Sequence, residues 1–261
     1  MTSSAGNSYD AWRSIALYEA QLGHLDETRK ALVHLHQLAE KFMRIEGTDE
    51  SFAQVSAIWE DIYQLDILAA NGDYQSIHAK AVALDARLQK IAPQSNLTRT
   101  VRTQALRESR TWITEAALRT GRAEEAVSVA KDMAEHPLVS AFDPKAQIDA
   151  ERARSKVLYG EALIDSDHVE AAKTPLAEAL AYYRERQAKG AADTHFRQNF
   201  GQALFQLSRT ESSDEAGIGR RRAILDEAAS VLGGLSQEAQ QLRSSREVIE
   251  TVTRARANAG G

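Results

Sequence analysis

One short pattern recurs at a near-constant interval along this 261-residue chain. It reads Gln21-Leu-Gly-His-Leu-Asp-Glu-Thr28, then Ala70-Asn-Gly-Asp-Tyr-Gln-Ser-Ile77, then Arg119-Thr-Gly-Arg-Ala-Glu-Glu-Ala126. Gly23, Gly72 and Gly121 stand 49 residues apart, and a degenerate copy at Asp165-Ser-Asp-His-Val-Glu-Ala-Ala172 places Asp167 a further 46 along. Each copy has the chemistry of a helical-hairpin turn. Glycine takes the left-handed position that ends one helix, and an acidic residue opens the next at its positive end. Self-similarity at a fixed period marks a repeat architecture, in which stacked neighbours share a core that no unit can bury alone.

The segments between the turns read as helices. They are rich in Ala, Leu, Glu, Gln and Arg, all good helix formers, and the four prolines at 93, 137, 144 and 175 leave long stretches uninterrupted. Apolar residues recur at spacings of three and four. Trp12, Ile15, Leu22 and Leu25 form one such series, and Leu32, Leu35 and Leu38 another. Ile77, Ala81, Leu84, Leu88 and Ile91 repeat it, as do Val169, Ala172, Leu176, Ala179 and Tyr183. No alternating β-branched run bounded by Asn-Gly or Asp-Gly occurs. The fold class is all-α.

Composition narrows the function. With no cysteine there is no disulfide framework and no thiolate metal site. No apolar run approaches the roughly 18 residues of a membrane span, so membrane insertion is not expected. The net charge of −5 supplies no global basic field for nucleic acid or an anionic surface. The first eight residues lack a basic leader and an apolar h-region, so the expectation is a cytoplasmic protein, or an extracytoplasmic one if this is a domain excised from a membrane protein. The excess of Arg over Lys, with abundant Ala, suggests a bacterial source.

The turns and their flanks resemble the tetratricopeptide repeat. Trp12, Ile15 and Ala16 occupy the places of that family's Trp-x2-Leu-Gly signature, and Gly72-Asp73-Tyr74 matches its turn, with Ile77 where the family has Ala. Gly121, Ala126 and Ala130 match in the third copy, Tyr159, Gly160 and Ala172 in the fourth, and Gly201 with Leu204 suggest a fifth. The interval departs from the family's 34 residues, so the chain is best described as tetratricopeptide-like. The resemblance implies a right-handed α-solenoid of about five antiparallel helix pairs over residues 9–235. Residues 1–8 are expected to be a disordered or linker segment, 236–257 a capping helix with Ser236 at its start, and 258–261 a tail.

No catalytic constellation emerges. The seven histidines lack metal-ligand spacing, and His34 and His36 point apart on a helix. Gly217-Ile-Gly219 precedes Arg220-Arg221-Arg222, but no strand leads into it, so a hairpin loop outweighs a phosphate site. The carboxylate pairs Asp26-Glu27 and Glu124-Glu125 fall at helix starts, where the dipole accounts for them. Arg99, Arg102, Arg107 and Arg110 read as a solvated face pairing with Glu108 and Glu115 rather than a nucleic-acid stripe. No enzyme activity, cofactor or metal is expected.

In stacks of this kind the first helix of each pair lines the concave face, where peptides or partner helices lie. Projected from the turns, that face carries Asp10, Arg13, Leu17 and Gln21, then Trp59, Ile62 and Asp66, then Glu108, Thr111, Glu115 and Arg119. Arg154, Val157, Glu161 and Asp165 follow, then His195, Gln198 and Gln202. Asp66, Glu115 and Glu161 hold equivalent places, with Gln202 next in the series. Two readings of that row stand. It recognises a basic or amine-bearing segment, with Trp59 and Ile62 as apolar anchors, or it pairs with Arg119 and Arg154 across neighbouring repeats. The function expected is a protein–protein interaction scaffold. The alternative is a sensing or regulatory module of a larger bacterial signalling protein, a Ser/Thr kinase or transcription regulator.

Overall fold

The structure, a computed structural model, describes residues 2–44, 50–139 and 145–259. Among these, only helices, turns and irregular segments occur. The helices are α1 (Thr2–Leu22), α2 (Leu25–Arg44), α3 (Glu50–Ala70), α4 (Tyr74–Lys90), α5 (Asn96–Arg119), α6 (Ala123–Glu135), α7 (Lys145–Asp165), α8 (Val169–Ala188), α9 (Thr194–Ser208), α10 (Glu215–Gly233), α11 (Gln237–Gln241) and α12 (Arg243–Asn258). Two compact units divide the chain. One comprises Met1–Gly121 with Leu138–Asp143, the other Arg122–Pro137 with Pro144–Gly261.

The turns form where the repeated pattern places them. Gly23, Gly72 and Gly121 have φ of 81°, 72° and 74°, and Asp167, at 62°, is the one non-glycine with positive φ among the described residues. At Gly72 the chain closes with paired bonds, Gly72 N to Ala69 O and Asp73 N to Leu68 O, both 3.0 Å. Gly23 and His24, and Asp167 and His168, make the same two bonds to their own helix ends. This double closure satisfies carbonyls that the helix end leaves open and reverses the chain within two or three residues. The next helix then starts on a cap or an acidic first turn. Asp73 Oδ1 accepts from Ser76 N at 3.1 Å, and Asp26-Glu27, Glu124-Glu125 and Glu170 occupy first turns. A fifth reversal, at Gly190 (φ 84°), ends α8 in the same way.

In the first unit α1 packs on α2 and α3, and α3 on α4 and α5. Helix α3 is central, with Val55, Ile58, Trp59, Ile62 and Leu65 all buried. The series Ile77, Ala81, Leu84 and Leu88 is the buried stripe of α4. In α1 the packed positions are Ala16 and Ala20, while Ile15 stays 42% exposed. The Trp12-Ile15 spacing thus misplaces that stripe. Trp12 instead stacks on His34 of α2, ring centroids 4.1 Å apart, and the alanines let α1 sit close to its neighbours.

In the second unit α7 packs on α6, α8 and α9, and α9 on α8, α10 and α12. Its core runs from Val157 through Leu180, Tyr183, Phe200, Leu204 and Leu225 to Val252. Tyr183 stacks on Phe200 at 5.7 Å, and its hydroxyl is buried without a hydrogen-bond partner. Burial pushes that phenol above the ordinary tyrosine range, with the Arg154 charge pulling the other way. Two glycines set close approaches. A Cβ at Gly160 of α7 would stand 2.6 Å from Leu176 Cγ, and one at Gly201 of α9 would stand 2.7 Å from Leu232 Cγ.

Two differences from the sequence reading concern the ends. Helix α1 begins at Thr2, where residues 1–8 read as a linker. The capping segment is two helices, broken at Leu242, whose ψ of 136° is extended. Ser236 caps the first of them as expected, its Oγ accepting from Ala239 N at 3.2 Å. The break presents Ser244 and Ser245 to Gln198 of α9, whose Nε2 donates to them at 3.1 and 2.6 Å.

Gly72→Ala lowers stability in urea melts by about 1–2 kcal/mol, because a Cβ is disfavoured at that φ. Asp167→Gly raises it by roughly 0.5 kcal/mol by relieving the same conformation at the degenerate turn. Gly160→Ala lowers stability by about 1 kcal/mol or more through overpacking against Leu176. Gly219→Ala, in open space on α10, raises it by about 0.5–1 kcal/mol through helix propensity alone.

Candidate functional site

The first helices stand side by side in each unit: α1 beside α3 beside α5, and α7 beside α9 beside α12. Their facing polar side chains join them. In the first unit Gln21 Nε2 of α1 donates to Asp66 Oδ1 of α3 at 2.8 Å. The guanidinium of Arg13 lies 5.0 Å from the ring centroid of Trp59, a cation–π contact between the same two helices. In the second unit Gln202 Nε2 of α9 donates to Glu161 Oε2 of α7 at 3.3 Å. Arg209, at the C-terminal cap of α9, pairs with Asp165 of α7 and also donates to Gln206 Oε1 at 2.9 Å.

The projected residues thus fall into two groups. Trp59, Ile62 and Asp66 are 5%, 2% and 4% exposed. They hold α3 among its neighbours, so Trp59 and Ile62 act as core residues where the sequence suggested surface anchors. Thr111 and Val157 are buried too. Arg13, Glu115, Arg154, Glu161 and Gln202 are half-buried, and Arg119, Leu17 and His195 are exposed. The side chain of Asp10 lies outside the described residues. Asp66 and Glu115 belong to the first unit, Glu161 and Gln202 to the second. Both Asp66 and Glu161 accept from a glutamine amide on a neighbouring first helix. Arg119 lies over Tyr74 of α4, 5.6 Å from its centroid. Sequence reasoning placed Gln21 and Gln202 on the concave face, Gln202 in line with the acids, but did not pair them with those acids. The signal was their place on the same projected face as the acids, since a carboxamide can donate to a carboxylate without a second charge.

The arginine clusters are structural. Arg102 Nε donates to Leu88 O at 2.6 Å, closing the last turn of α4, and Arg110 pairs with Asp85 of α4 at 3.0 Å. Buried Arg107 donates to Leu138 O at 3.3 Å. Arg220 pairs with Glu211 at 2.6 Å, Arg221 donates to Ser208 O and Glu211 O, and Arg222 donates to Ala259 O at 2.7 Å. The N–H of Gly217, where an anion would bind, already donates to Asp214 Oδ1 at 2.6 Å. That capping bond holds the Asp214 carboxyl below its ordinary range. Among the described residues, no cluster of three or more His, Asp and Glu side chains is placed to hold a metal ion, and no helix is long and apolar enough to cross a membrane.

Against known proteins, no family model matches this chain, and no curated protein does either. Among solved structures it is similar to nearly identical TPR-like repeats described as kinesin light chain, from Podosopora anserina. The identity is 16%, 95% of each chain is covered, and the TM-score is 0.47. It is also similar to BtubC (BKLC) from P. vanneervenii, at 14% identity, covering 94% of this chain and 92% of that one, with a TM-score of 0.46. The likeness concerns the helical-repeat fold alone.

Removing the buried acceptor separates structure from surface. Asp66→Ala removes the buried acceptor that ties α3 to the Gln21 amide of α1 and lowers unfolding free energy by about 1–3 kcal/mol. Glu161→Ala, at a half-buried position, costs about 1 kcal/mol or less. Urea denaturation followed by circular dichroism measures both.

Proposed function

We propose that this chain is a protein–protein interaction scaffold, and that a partner peptide or helix lies along the faces of its first helices. The observation that carries this reading is the set of inter-helix bonds on those faces, Gln21 to Asp66 and Gln202 to Glu161. They hold half-exposed polar groups in fixed geometry, and a preordered surface loses less entropy when a partner docks. The positions offered to a partner are Arg13, Glu115 and Arg119 in the first unit, and Arg154, Glu161 and Gln202 in the second. Trp59, Ile62 and Asp66 support that surface from beneath. Glu115 and Glu161 are the places at which a basic partner segment is read, since Asp66 is turned inward.

The test is site-specific photo-cross-linking. Benzoylphenylalanine is placed singly at Arg119 and Gln202 on first helices, and at Lys131 and Lys173 on second helices, in cells of the source organism. Adducts with the same protein from Arg119 and Gln202 alone support the proposal, and Glu161→Lys abolishes the Gln202 adduct. Adducts from Lys131 or Lys173 alone, or capture indifferent to Glu161→Lys, overturn it.

A further inference from the structure

A second surface lies away from the first-helix faces. In the first unit a groove of about 450 Å³ opens between α2 and α4, with α3 as its floor. Leu32 and Val33 of α2 and Ile67 and Leu68 of α3 make it apolar. Val33 is 55% exposed, the most open aliphatic side chain of α2 among the described residues. A helix face turned to water ordinarily carries charge where Val33 stands. The volume suits two or three aliphatic side chains entering from one face of a helix, the spacing by which amphipathic helices fill grooves.

The charges at the rim choose the occupant. Lys80 of α4 lines the groove, is exposed and makes no ion pair among the described residues. Arg29 of α2 lines the opposite wall, and its pair, Asp26 at 2.9 Å, is an exposed i,i+3 contact on its own helix. Such pairs contribute little and exchange readily. The one carboxylate in the lining, Glu60, is already engaged by His36 Nδ1 at 3.0 Å. The groove therefore presents an apolar floor between two cationic walls, Arg29 and Lys80, with one carboxylate, Glu60, held toward His36.

We infer that this groove docks an amphipathic helix of acidic character, with aliphatic anchors on Val33, Ile67 and Leu68 and carboxylates set against Lys80 and Arg29. This surface belongs to α2, α3 and α4 and uses none of the residues assigned above to the first-helix faces, so either proposal can fail without the other.

The experiment titrates the full chain into two fluorescein-labelled synthetic peptides and reads anisotropy. Both are 16-residue helix formers with leucines at i, i+4, i+7 and i+11; one is flanked by glutamates, the other by lysines. The wild-type chain binds the glutamate peptide at least about tenfold more tightly than the lysine peptide, a difference of about 1.4 kcal/mol. Val33→Glu, at a position already exposed and so compatible with folding, weakens glutamate-peptide binding by about tenfold or more. Lys80→Glu removes or reverses the preference. Circular dichroism confirms that both variants keep the wild-type helicity. Three results overturn the inference. One is absence of glutamate-peptide binding. Another is equal binding of both peptides. The third is concentration-dependent self-association in sedimentation velocity that Val33→Glu abolishes, which assigns the groove to a second copy of the chain.

Discussion

The left-handed residue at the repeated turns is the constraint on which the rest depends. Gly23, Gly72 and Asp167 each reverse the chain within two or three residues, so α1 and α2, α3 and α4, and α7 and α8 fold back and pack against one another. That reversal fixes register as well as direction. The stripe on α4, Ile77 to Leu88, meets the buried positions of α3 only because the turn between them has one geometry. A slip of one residue at Gly72 would rotate every side chain of α4 by about 100° and turn Ile77 and Ala81 toward water. The acidic first turns then add a favourable dipole interaction on top of geometry already set.

Small residues decide how closely the helices approach. Ala16, Ala20, Ala31, Ala53, Ala81, Ala116 and Ala117 are buried in the first unit, and Ala162, Ala172, Ala179, Ala203 and Ala228 in the second. Gly160 and Gly201 go further, admitting Leu176 and Leu232 into space that a methyl group would fill. Close backbones bring long polar side chains within reach of the next helix. Gln21, Gln202, Arg110 and Arg102 all bridge helices in this way.

The turns were legible in the sequence because they depend on local conformational preference, and glycine at a fixed interval records that preference directly. The all-α class and the buried stripes of α4 and α8 were legible for a related reason, a strong three–four periodicity. The face of the first helices was legible only as a list of positions. Projection from the turn says which residues share a side of a helix. It does not say how deep each one sits, because depth depends on the neighbouring helix. Trp59, Ile62 and Asp66 show the difference, as members of the projected face that packing draws into the core. The break at Leu242 was illegible for the same kind of reason. Nothing in Gln241-Leu242-Arg243 forbids a continuous helix, and the bend makes sense only beside Gln198, 46 residues from Ser244.

The boundary between the two compact units falls at Gly121–Arg122, inside the third copy of the repeated turn. The sequence pattern recurs every two helices, whereas compactness collects five of the described helices on one side of that boundary and seven on the other. The sequence period and the packing are therefore out of step by one helix. The unit in which the turn pattern recurs is not the unit that coheres, and α6 begins the second group although its first residues belong to the third copy of the pattern. Cutting this chain at a turn of the repeated pattern and cutting it at the end of a helix pair are therefore different operations, and only the first, at Gly121, separates the two groups that cohere.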